Sequence, residues 1–348
     1  MTWERSLGDK LQCTLCPRDC KLSDGQRGMC FVRQRAGDRI ELTAYGKASG
    51  FALDPIEKKP LHHFYPGTSV LSFGTAGCNL ACKFCQNWDI SKAREMDRLT
   101  DEATPEAIAR AAKRSGARSI AFTYNDPTIF AEYAMDVADA VHAEGLATVA
   151  VSAGYIYAEP RAALYAKIDA ANIDLKAFTD EFYWKQASAH LEPVKDTLRY
   201  LVRETSVWTE ITTLLIPTLN DSDRELHELA QWIASELGPD IPLHFSAFHP
   251  DYKLRDLSPT PLATLQRARR IAMAEGLRYV YTGNVHDPEG DRTLCPGCGC
   301  AVISRDWYEI LEVQLTPLGA CAQCGTQIPG RFDATIGSFG RKRMRVLV

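Results

Sequence analysis

Short apolar runs alternate with amphipathic, helix-like segments between residues 69 and about 285 of the chain. A strand that is buried on both faces appears in a sequence as a continuous apolar run, so each run predicts a strand of a parallel sheet. The predicted strands are Val70–Phe73, Ser119–Tyr124, Ala147–Ser152, Ala171–Leu175, Val207–Ile216, Leu243–Phe248 and Arg278–Thr282.

Helix start signals lie between the predicted strands. Thr104 and Thr260 are each followed by proline, which is typical of a helix start. Ser222 and Glu225 have the spacing of a capping box, in which each side chain bonds to the other residue's backbone. Strands that alternate with helices form right-handed βαβ units and a parallel sheet.

Six or seven such units fit a complete or partial (β/α) TIM-like barrel better than a flat sheet. A doubly wound sheet stays open, because spacing does not give the order of the strands. We predict three parts: a Cys-rich metal-binding segment over residues 1–68, the barrel over 69–290, and a second Cys-rich segment with a basic tail over 291–348. In a barrel, functional side chains lie at the C-terminal ends of the strands.

Composition indicates the setting in which the chain works. The 348 residues carry a formal net charge of −4 and are 45% apolar, an ordinary balance for a globular protein. No run is long and apolar enough for a transmembrane helix, and residues 1–5 lack the apolar region of a signal peptide. We therefore predict a cytoplasmic protein that makes no membrane contact. The basic cluster at 341–345 is short, and we expect a solvated tail rather than a nucleic-acid site.

Twelve cysteines fall into three groups along the chain. The groups are Cys13, Cys16, Cys20 and Cys30; Cys78, Cys82 and Cys85; and Cys295, Cys298, Cys300, Cys321 and Cys324. Such close spacings, in a chain without an export signal, predict metal ligands rather than disulfides.

The middle group follows the first predicted strand. Cys78, Cys82 and Cys85 offer three thiolates on one loop, whereas a [4Fe–4S] cluster is normally held by four. A cluster held by three would keep one iron open for a substrate. The alternative is a structural zinc or iron site that a distant Cys or His completes.

The C-x3-C-x2-C motif, with the aromatic Phe84 before its last cysteine, resembles the radical S-adenosylmethionine (SAM) superfamily. The resemblance implies a partial radical SAM barrel with a [4Fe–4S] cluster on Cys78, Cys82 and Cys85. In that superfamily the open iron binds SAM, and the reduced cluster cleaves it to a 5′-deoxyadenosyl radical that takes hydrogen from a substrate.

Later motifs resemble one branch of the superfamily, the pyruvate formate-lyase activating enzymes. The SAM-binding residues that the resemblance implies are Phe84, Asn125, Asp126, Ser152, Gly154, Asp174 and Lys176. Asp126 stands where that branch usually has Glu. Asp174 and Lys176 are two positions apart on a predicted strand and share one face of it, so the carboxylate could meet ribose hydroxyls and the ammonium the SAM carboxylate.

Two histidines belong to the sixth predicted strand or follow it. His249 lies just beyond the strand end and is a candidate catalytic or substrate-binding residue. His244 lies within the strand, and we expect it to be a hydrogen-bonded core residue.

The flanking cysteines predict further metal sites. Cys13, Cys16, Cys20 and Cys30 can complete a coordination shell around structural zinc or around a second iron–sulfur cluster for electron delivery. Turns at Pro17, Gly25 and Gly28 resemble zinc knuckles and favour zinc. At the other end of the chain, two C-x-x-C-G knuckles have the pattern of a zinc ribbon with four ligands, Cys295, Cys298, Cys321 and Cys324. Cys300 is then a spare thiol.

Over nearly its whole length the chain resembles the radical SAM member of the AmmeMemoRadiSam system. The segments that carry this resemblance are 16–20, 54–64 and the Cys-rich C-terminal part. It implies Memo-like and associated system proteins as partners, and radical SAM chemistry implies an electron donor such as flavodoxin or ferredoxin. It does not supply a substrate.

The sequence thus predicts a radical SAM enzyme that acts on an unidentified protein or small molecule. A glycyl-radical-enzyme activase is the alternative within that chemistry. A metal-stapled binding module for nucleic acid or protein is the alternative from another class.

Overall fold

The structure is a computed structural model that describes residues 3–93 and 101–348. Its strands are β1 (Glu4–Ser6), β2 (Leu11–Cys13), β3 (Lys21–Leu22), β4 (Arg33–Ala36), β5 (Arg39–Leu42), β6 (Lys47–Pro55), β7 (Ser69–Gly74), β8 (Asp101–Glu102), β9 (Ser119–Phe122), β10 (Ala147–Ser152), β11 (Ala170–Asp174), β12 (Trp208–Leu215), β13 (Leu243–Ala247), β14 (Val280–Gly283), β15 (Thr293–Leu294), β16 (Ala301–Asp306), β17 (Glu309–Val313) and β18 (Met344–Arg345). Its α-helices are α1 (Trp88–Ser91), α2 (Pro105–Arg114), α3 (Ala131–Ala143), α4 (Ala158–Tyr165), α5 (Asp180–Phe182), α6 (Glu192–Glu204), α7 (Asp223–Trp232) and α8 (Leu262–Ala274).

The central sheet has ten strands, and seven of them are parallel. These seven lie in chain order, β7-β9-β10-β11-β12-β13-β14, with a helix between each of β9 to β14 and the strand before it. A doubly wound sheet would reverse direction at a switch point, and this one does not. The sheet is therefore wound in one direction like a barrel wall. The parallel α/β architecture and all seven predicted strands are confirmed, with ends that differ by one or two residues.

Antiparallel strands extend this wall on the β7 side. β6 pairs with β7, and both β8 and β18 pair with β6. β6 precedes residue 68, where the sequence suggested the barrel boundary, and it still belongs to the central sheet. The remaining N-terminal strands form the small sheet β1-β2-β3 and the hairpin β4-β5, and the C-terminal part forms the sheet β15-β16-β17.

The helix starts were predicted with mixed success. Thr104 caps α2 by accepting the backbone N–H of Ala107, as predicted. Ser222 caps α7, but the other half of the capping box is wrong, because Glu225 accepts the backbone N–H of Phe178 instead. Thr260 is not a cap either: its hydroxyl bonds to the backbone of the strand ends beside it.

A buried carboxylate ties the N-terminal ends of the strands together. Glu210, near the start of β12, is fully buried and accepts the backbone N–H groups of His62 and His63 at 3.0 and 2.8 Å. It also bonds to Trp208 Nε1 at 3.0 Å and to His244 Nε2 at 2.7 Å. His244 is thus the hydrogen-bonded core residue that the sequence predicted. Burial opposes the charge of Glu210, but these partners lower the pKa of the carboxyl overall.

The C-terminal sheet joins the same cluster. Arg305, on β16, is almost completely buried and donates to the carbonyl oxygen of His62 at 2.8 Å and to Thr293 Oγ1 at 2.9 Å. The ring of His63 bonds to Tyr281 Oη on one side and to the carbonyl oxygen of Pro329 on the other, both at 2.6 Å. Residues 56–66 therefore connect the barrel floor to the C-terminal part. Within the described residues, no helix is long and apolar enough to cross a membrane.

Glu57 gives this region a pH dependence that can be measured. Its Oε1 accepts the N–H of Gly67, but its Oε2 has no hydrogen-bond partner among the described residues. Burial raises the pKa of Glu57 from 4.5 to about 7, although Arg305 acts to lower it. The folded chain therefore keeps a proton that the unfolded chain releases at lower pH, and wild-type stability falls as pH rises from about 4.5 to about 7.

Glu57→Gln removes this titration while it keeps the shape of the side chain. We expect the variant to gain stability relative to wild type as pH rises from about 5 to about 8, by at most about 3 kcal/mol. Parallel thermal melts across that range measure the difference, and the exposed Glu312→Gln variant controls for the loss of one negative charge. A difference between Glu57→Gln and wild type that does not change with pH would contradict the assignment.

Candidate functional site

The C-terminal ends of the parallel strands surround a cavity of about 300 Å³. A cavity of this size can hold a small-molecule ligand. It brings together most of the residues that the sequence selected from separate segments. These are Cys78, Cys82, Phe84, Cys85, Asn125, Asp126, Asp174 and Lys176.

The loop that carries the three cysteines is fixed by the next strand end. The side chain of Asn125 accepts the N–H of Thr75 at 3.2 Å and donates to the carbonyl oxygen of Gly77 at 2.9 Å. Gly74 permits this approach, since a Cβ there would lie 2.4 Å from the carbonyl oxygen of Thr123. Asn125 thus acts on the cysteine loop, a role that its motif did not indicate.

The three cysteines face the cavity as free thiols. Burial raises the pKa of Cys78 to about 12, and Asp126 adds to the rise. At neutral pH this sulfur therefore loses its proton only when a cation binds it. The sulfur of Cys85 also contacts Ser91 Oγ at 3.1 Å, which holds the last cysteine against α1.

Asp126 lines the cavity, but its carboxylate is already hydrogen-bonded within the protein. It accepts the backbone N–H groups of Thr128 at 2.9 Å and Ala153 at 2.7 Å, and the hydroxyl of Ser152 at 3.1 Å. Burial raises the pKa of Asp126 against these bonds. Ser152 and Gly154 stand behind this carboxylate rather than in the cavity lining, and the N–H of Gly154 donates to Ser152 Oγ.

Asp174 and Lys176 form an ion pair in the cavity wall. Lys176 Nζ lies 2.8 Å from Asp174 Oδ2 and 5.9 Å from the centre of the Phe84 ring. Asp174 is the last residue of β11, and Lys176 lies in the loop beyond it, so only part of the predicted strand face exists. Burial acts to lower the pKa of Lys176, but Asp174 outweighs it and raises the pKa above its usual value. The ammonium therefore keeps its charge.

The sequence missed Thr212, a further cavity residue on β12. It is buried, and within the described chain its Oγ1 has no hydrogen-bond partner. A buried hydroxyl without a partner costs free energy, so it is available to a polar ligand. The only signal in the sequence was its place near the end of a predicted strand.

A smaller chamber of about 60 Å³ adjoins the cavity. The two share four lining residues: Lys58, Pro60, Ser246 and Asn284. Both ring nitrogens of His62 lack a hydrogen-bond partner in the described chain, and Asp291 Oδ1 lies 3.6 Å from the nearer one. Burial lowers the pKa of His62 well below its usual value, so the neutral ring offers one donor and one acceptor.

His249, the candidate catalytic residue, is exposed and does not belong to the lining of the cavity or of the chamber. Its role stays a prediction from its position after β13. The histidine that does line the chamber beside His62 is His244.

The C-terminal cysteines converge on one point. The ligand atoms of Cys295, Cys298, Cys321 and Cys324 all lie within 4.8 Å of one another, the only such group of His, Cys, Asp or Glu side chains in the described residues. Burial acts to raise the pKa of Cys321, but backbone N–H groups at residues 323 and 324 lower it to about 6. Cys300 is close as well, with its sulfur 3.4 Å from Cys298 and 3.5 Å from Cys321.

The N-terminal cysteines Cys13, Cys16, Cys20 and Cys30 instead surround a cavity of their own. Two guanidinium groups, those of Arg18 and Arg33, lie in the same lining.

Comparisons with known proteins agree with this geometry. The family model of the radical SAM superfamily matches residues 73–230. The chain is 42% identical over 329 residues to "Uncharacterized protein MJ0808" of Methanocaldococcus jannaschii, across 94% of this chain and 98% of that protein.

Two solved structures share the fold. SuiB of Streptococcus suis bound to S-adenosylmethionine has a TM-score of 0.50 and 16% identity, across 66% of this chain and 53% of that one. A radical SAM methyltransferase from Sphaerobacter thermophilus has a TM-score of 0.49 and 19% identity, across 63% and 67%.

A parallel α/β wall whose strand ends present three cysteines to a ligand-sized cavity defines a radical SAM fold, and the chain belongs to the radical SAM superfamily. It is an enzyme, and it shares a family with the Methanocaldococcus jannaschii protein. The binding module that the sequence left open as another class is not supported.

Lys176→Met tests whether the ion pair binds SAM. The change keeps most of the apolar stem but removes the ammonium, so a SAM carboxylate would lose a charge-assisted bond worth about 1.5–3 kcal/mol, or roughly 10- to 150-fold in affinity. Asp174→Asn is the matched variant. We expect it to weaken binding less, because an amide still accepts a bond from a ribose hydroxyl. Anaerobic SAM titration followed by the cluster's magnetic-resonance signal measures both, and wild-type affinity in both variants would leave the pair a purely structural ion pair.

Proposed function

We propose that the enzyme holds a [4Fe–4S] cluster on Cys78, Cys82 and Cys85 and binds SAM beside it. The observation that carries the proposal is the single cavity in which three free thiols face the Asp174–Lys176 ion pair. A reduced cluster of this kind supplies the electron that cleaves SAM to a 5′-deoxyadenosyl radical. Three thiolates fit such a cluster, because they leave one iron for a ligand that the protein does not provide.

The remaining cavity residues have separate tasks in this proposal. Lys176 neutralises the carboxylate of SAM, and Asp174 both orients the ammonium and accepts from the ribose. Thr212 Oγ1, buried without a partner among the described residues, can bond to the same ligand. Asp126 and Ser152 position the strand-end loop that faces the SAM amino group, and the second oxygen lone pairs of the Asp126 carboxylate stay available to it.

The substrate in this proposal enters the adjoining chamber. A neutral His62 with both ring nitrogens unbonded in the described chain can orient a polar group there, next to the cavity. From the resemblance to the AmmeMemoRadiSam system, we propose that the substrate is a protein or small molecule linked to Memo-like partners. Flavodoxin or ferredoxin is the proposed electron donor. Co-purification of partners from cells, with mass spectrometry of each before and after incubation with SAM, identifies the substrate.

For the C-terminal group we propose a single zinc ion. Tetrahedral zinc lies about 2.3 Å from each thiolate, which brings the four sulfur atoms close together. The convergence of Cys295, Cys298, Cys321 and Cys324 supports this assignment.

Cys82→Ala tests the cluster. The variant lacks one of three ligands, so we expect 5′-deoxyadenosine production from SAM to fall to background while the C-terminal zinc stays bound. Product chromatography and metal analysis of the same sample measure both. Normal production of 5′-deoxyadenosine would show that Cys82 does not hold the cluster.

Chelation tests the zinc ribbon. Because the metal closes two knuckles across a loop, its removal should raise hydrogen exchange over residues 293–328 and leave β9 to β13 protected. Two matched variants sharpen the test: Cys298→Ser should lose the zinc, and Cys300→Ser should keep it. Loss of zinc from Cys300→Ser would make Cys300 a ligand, and unchanged exchange after chelation would exclude a structural metal.

A further inference from the structure

The N-terminal cysteines form a built site that the proposed function does not use. Cys13, Cys16 and Cys30 are buried, Cys20 is partly exposed, and all four are free. They line one cavity, although they come from separate turns and strands between residues 13 and 30. Four free thiols around one cavity indicate a metal centre, since no other chemistry needs this many buried sulfur atoms in one place.

The spacing of the sulfur atoms distinguishes two kinds of metal centre. A single zinc ion requires all four sulfurs to converge, as they do in the C-terminal group. Among the described residues, only that group has its ligand atoms within 4.8 Å of one another. A cubane cluster binds one thiolate at each iron and so keeps the sulfurs apart around its outside. The N-terminal cysteines share the open arrangement of Cys78, Cys82 and Cys85, not the compact arrangement of the ribbon.

The N-terminal cavity and the SAM cavity are separated by a single peptide segment. Cys78 lines the SAM cavity, and its neighbour Asn79 lines the N-terminal cavity. Cys30 touches the same segment, because a Cβ at Gly77 would lie 2.0 Å from the carbonyl oxygen of Cys30. Arg18 Nε donates to the carbonyl oxygen of Asn79 at 2.7 Å and fixes the contact.

The N-terminal site also has an outer and an inner side. Cys20 is its most exposed cysteine, and Met29, whose N–H lies 3.5 Å from the sulfur of Cys20, is itself exposed. Cys30 is at the inner side, against the segment that separates the cavities. Arg18 and Arg33 lie beside the sulfurs, so two guanidinium groups offset the negative charge that four thiolates bring.

We propose that Cys13, Cys16, Cys20 and Cys30 bind a second iron–sulfur cluster through which electrons reach the SAM site. The binding of the cluster is independent of the proposed function, and its role in delivery rests on it. One electron from a reduced flavodoxin or ferredoxin enters on the Cys20 side and leaves across residues 77–79. The donor is oxidised by one electron, and the acceptor on Cys78, Cys82 and Cys85 is reduced by one. The zinc that the knuckle-like turns favoured does not fit the open spacing of the thiols.

The first test removes the other cluster. In a Cys78→Ala, Cys82→Ala, Cys85→Ala triple variant, prepared without oxygen, we expect about four iron and four sulfide per chain to remain beside about one zinc. Dithionite should produce a magnetic-resonance signal that SAM does not alter. A triple variant with no iron and about two zinc would overturn the proposal.

Two variants complete this comparison. Cys16→Ala with Cys20→Ala should lose about half of the wild-type iron and keep the signal that responds to SAM. Cys298→Ser should lose zinc and no iron, which controls for general loss of metal on mutation. If wild-type iron never responds to SAM but the triple variant keeps its cluster, the proposed function fails and the second cluster stands.

The second test concerns delivery. Reduction of the SAM-responsive cluster is followed in wild type and in the Cys16→Ala, Cys20→Ala variant, once with photoreduced flavodoxin and once with dithionite. We expect flavodoxin to reduce the variant several-fold more slowly than wild type, whereas dithionite, a small reductant that needs no docking surface, still reduces it. Equal rates with flavodoxin would overturn the delivery role.

Discussion

The buried charge of Glu210 is the constraint on which the arrangement of the barrel depends. An ionised carboxylate away from water costs several kcal/mol unless hydrogen bonds compensate for it. Here the compensation comes from the backbone of His62 and His63 and from the side chains of Trp208 and His244. Residues 56–66 must therefore cross the barrel at the N-terminal ends of its strands. The cavity is closed on that side and opens where the cysteine loop lies.

The same constraint links the chemistry to the C-terminal part. Arg305 holds the carbonyl oxygen of His62, and the ring of His62 faces the chamber beside the SAM cavity. A shift of the small C-terminal sheet would therefore move a side chain in the chamber. The zinc ribbon is in this sense part of the wall of the site and not an appendage.

The sequence predicted those features that depend on local pattern. The seven parallel strands were recognisable because both faces of each are buried, and Asp174 and Lys176 met in the cavity because both lie at one strand end. Features that depend on distant partners were not recognisable. Glu210 binds residues about 150 positions away, and the hydrogen bonds that occupy Asp126 come from the next strand end. The open and compact thiol groups also could not be told apart, since C-x-x-C spacing is the same in both.

The one-directional strand order has a consequence for how the chain folds as it is synthesised. Each parallel strand pairs with the strand made just before it, so the wall can extend while the later part of the chain is still on the ribosome. The bond from Arg305 to His62 spans 243 positions and cannot form until the C-terminal sheet has emerged. The floor segment must wait, its backbone only partly held, for the last domain to arrive. A ribosome stalled after β14 would therefore carry a complete barrel wall whose floor is not yet fastened.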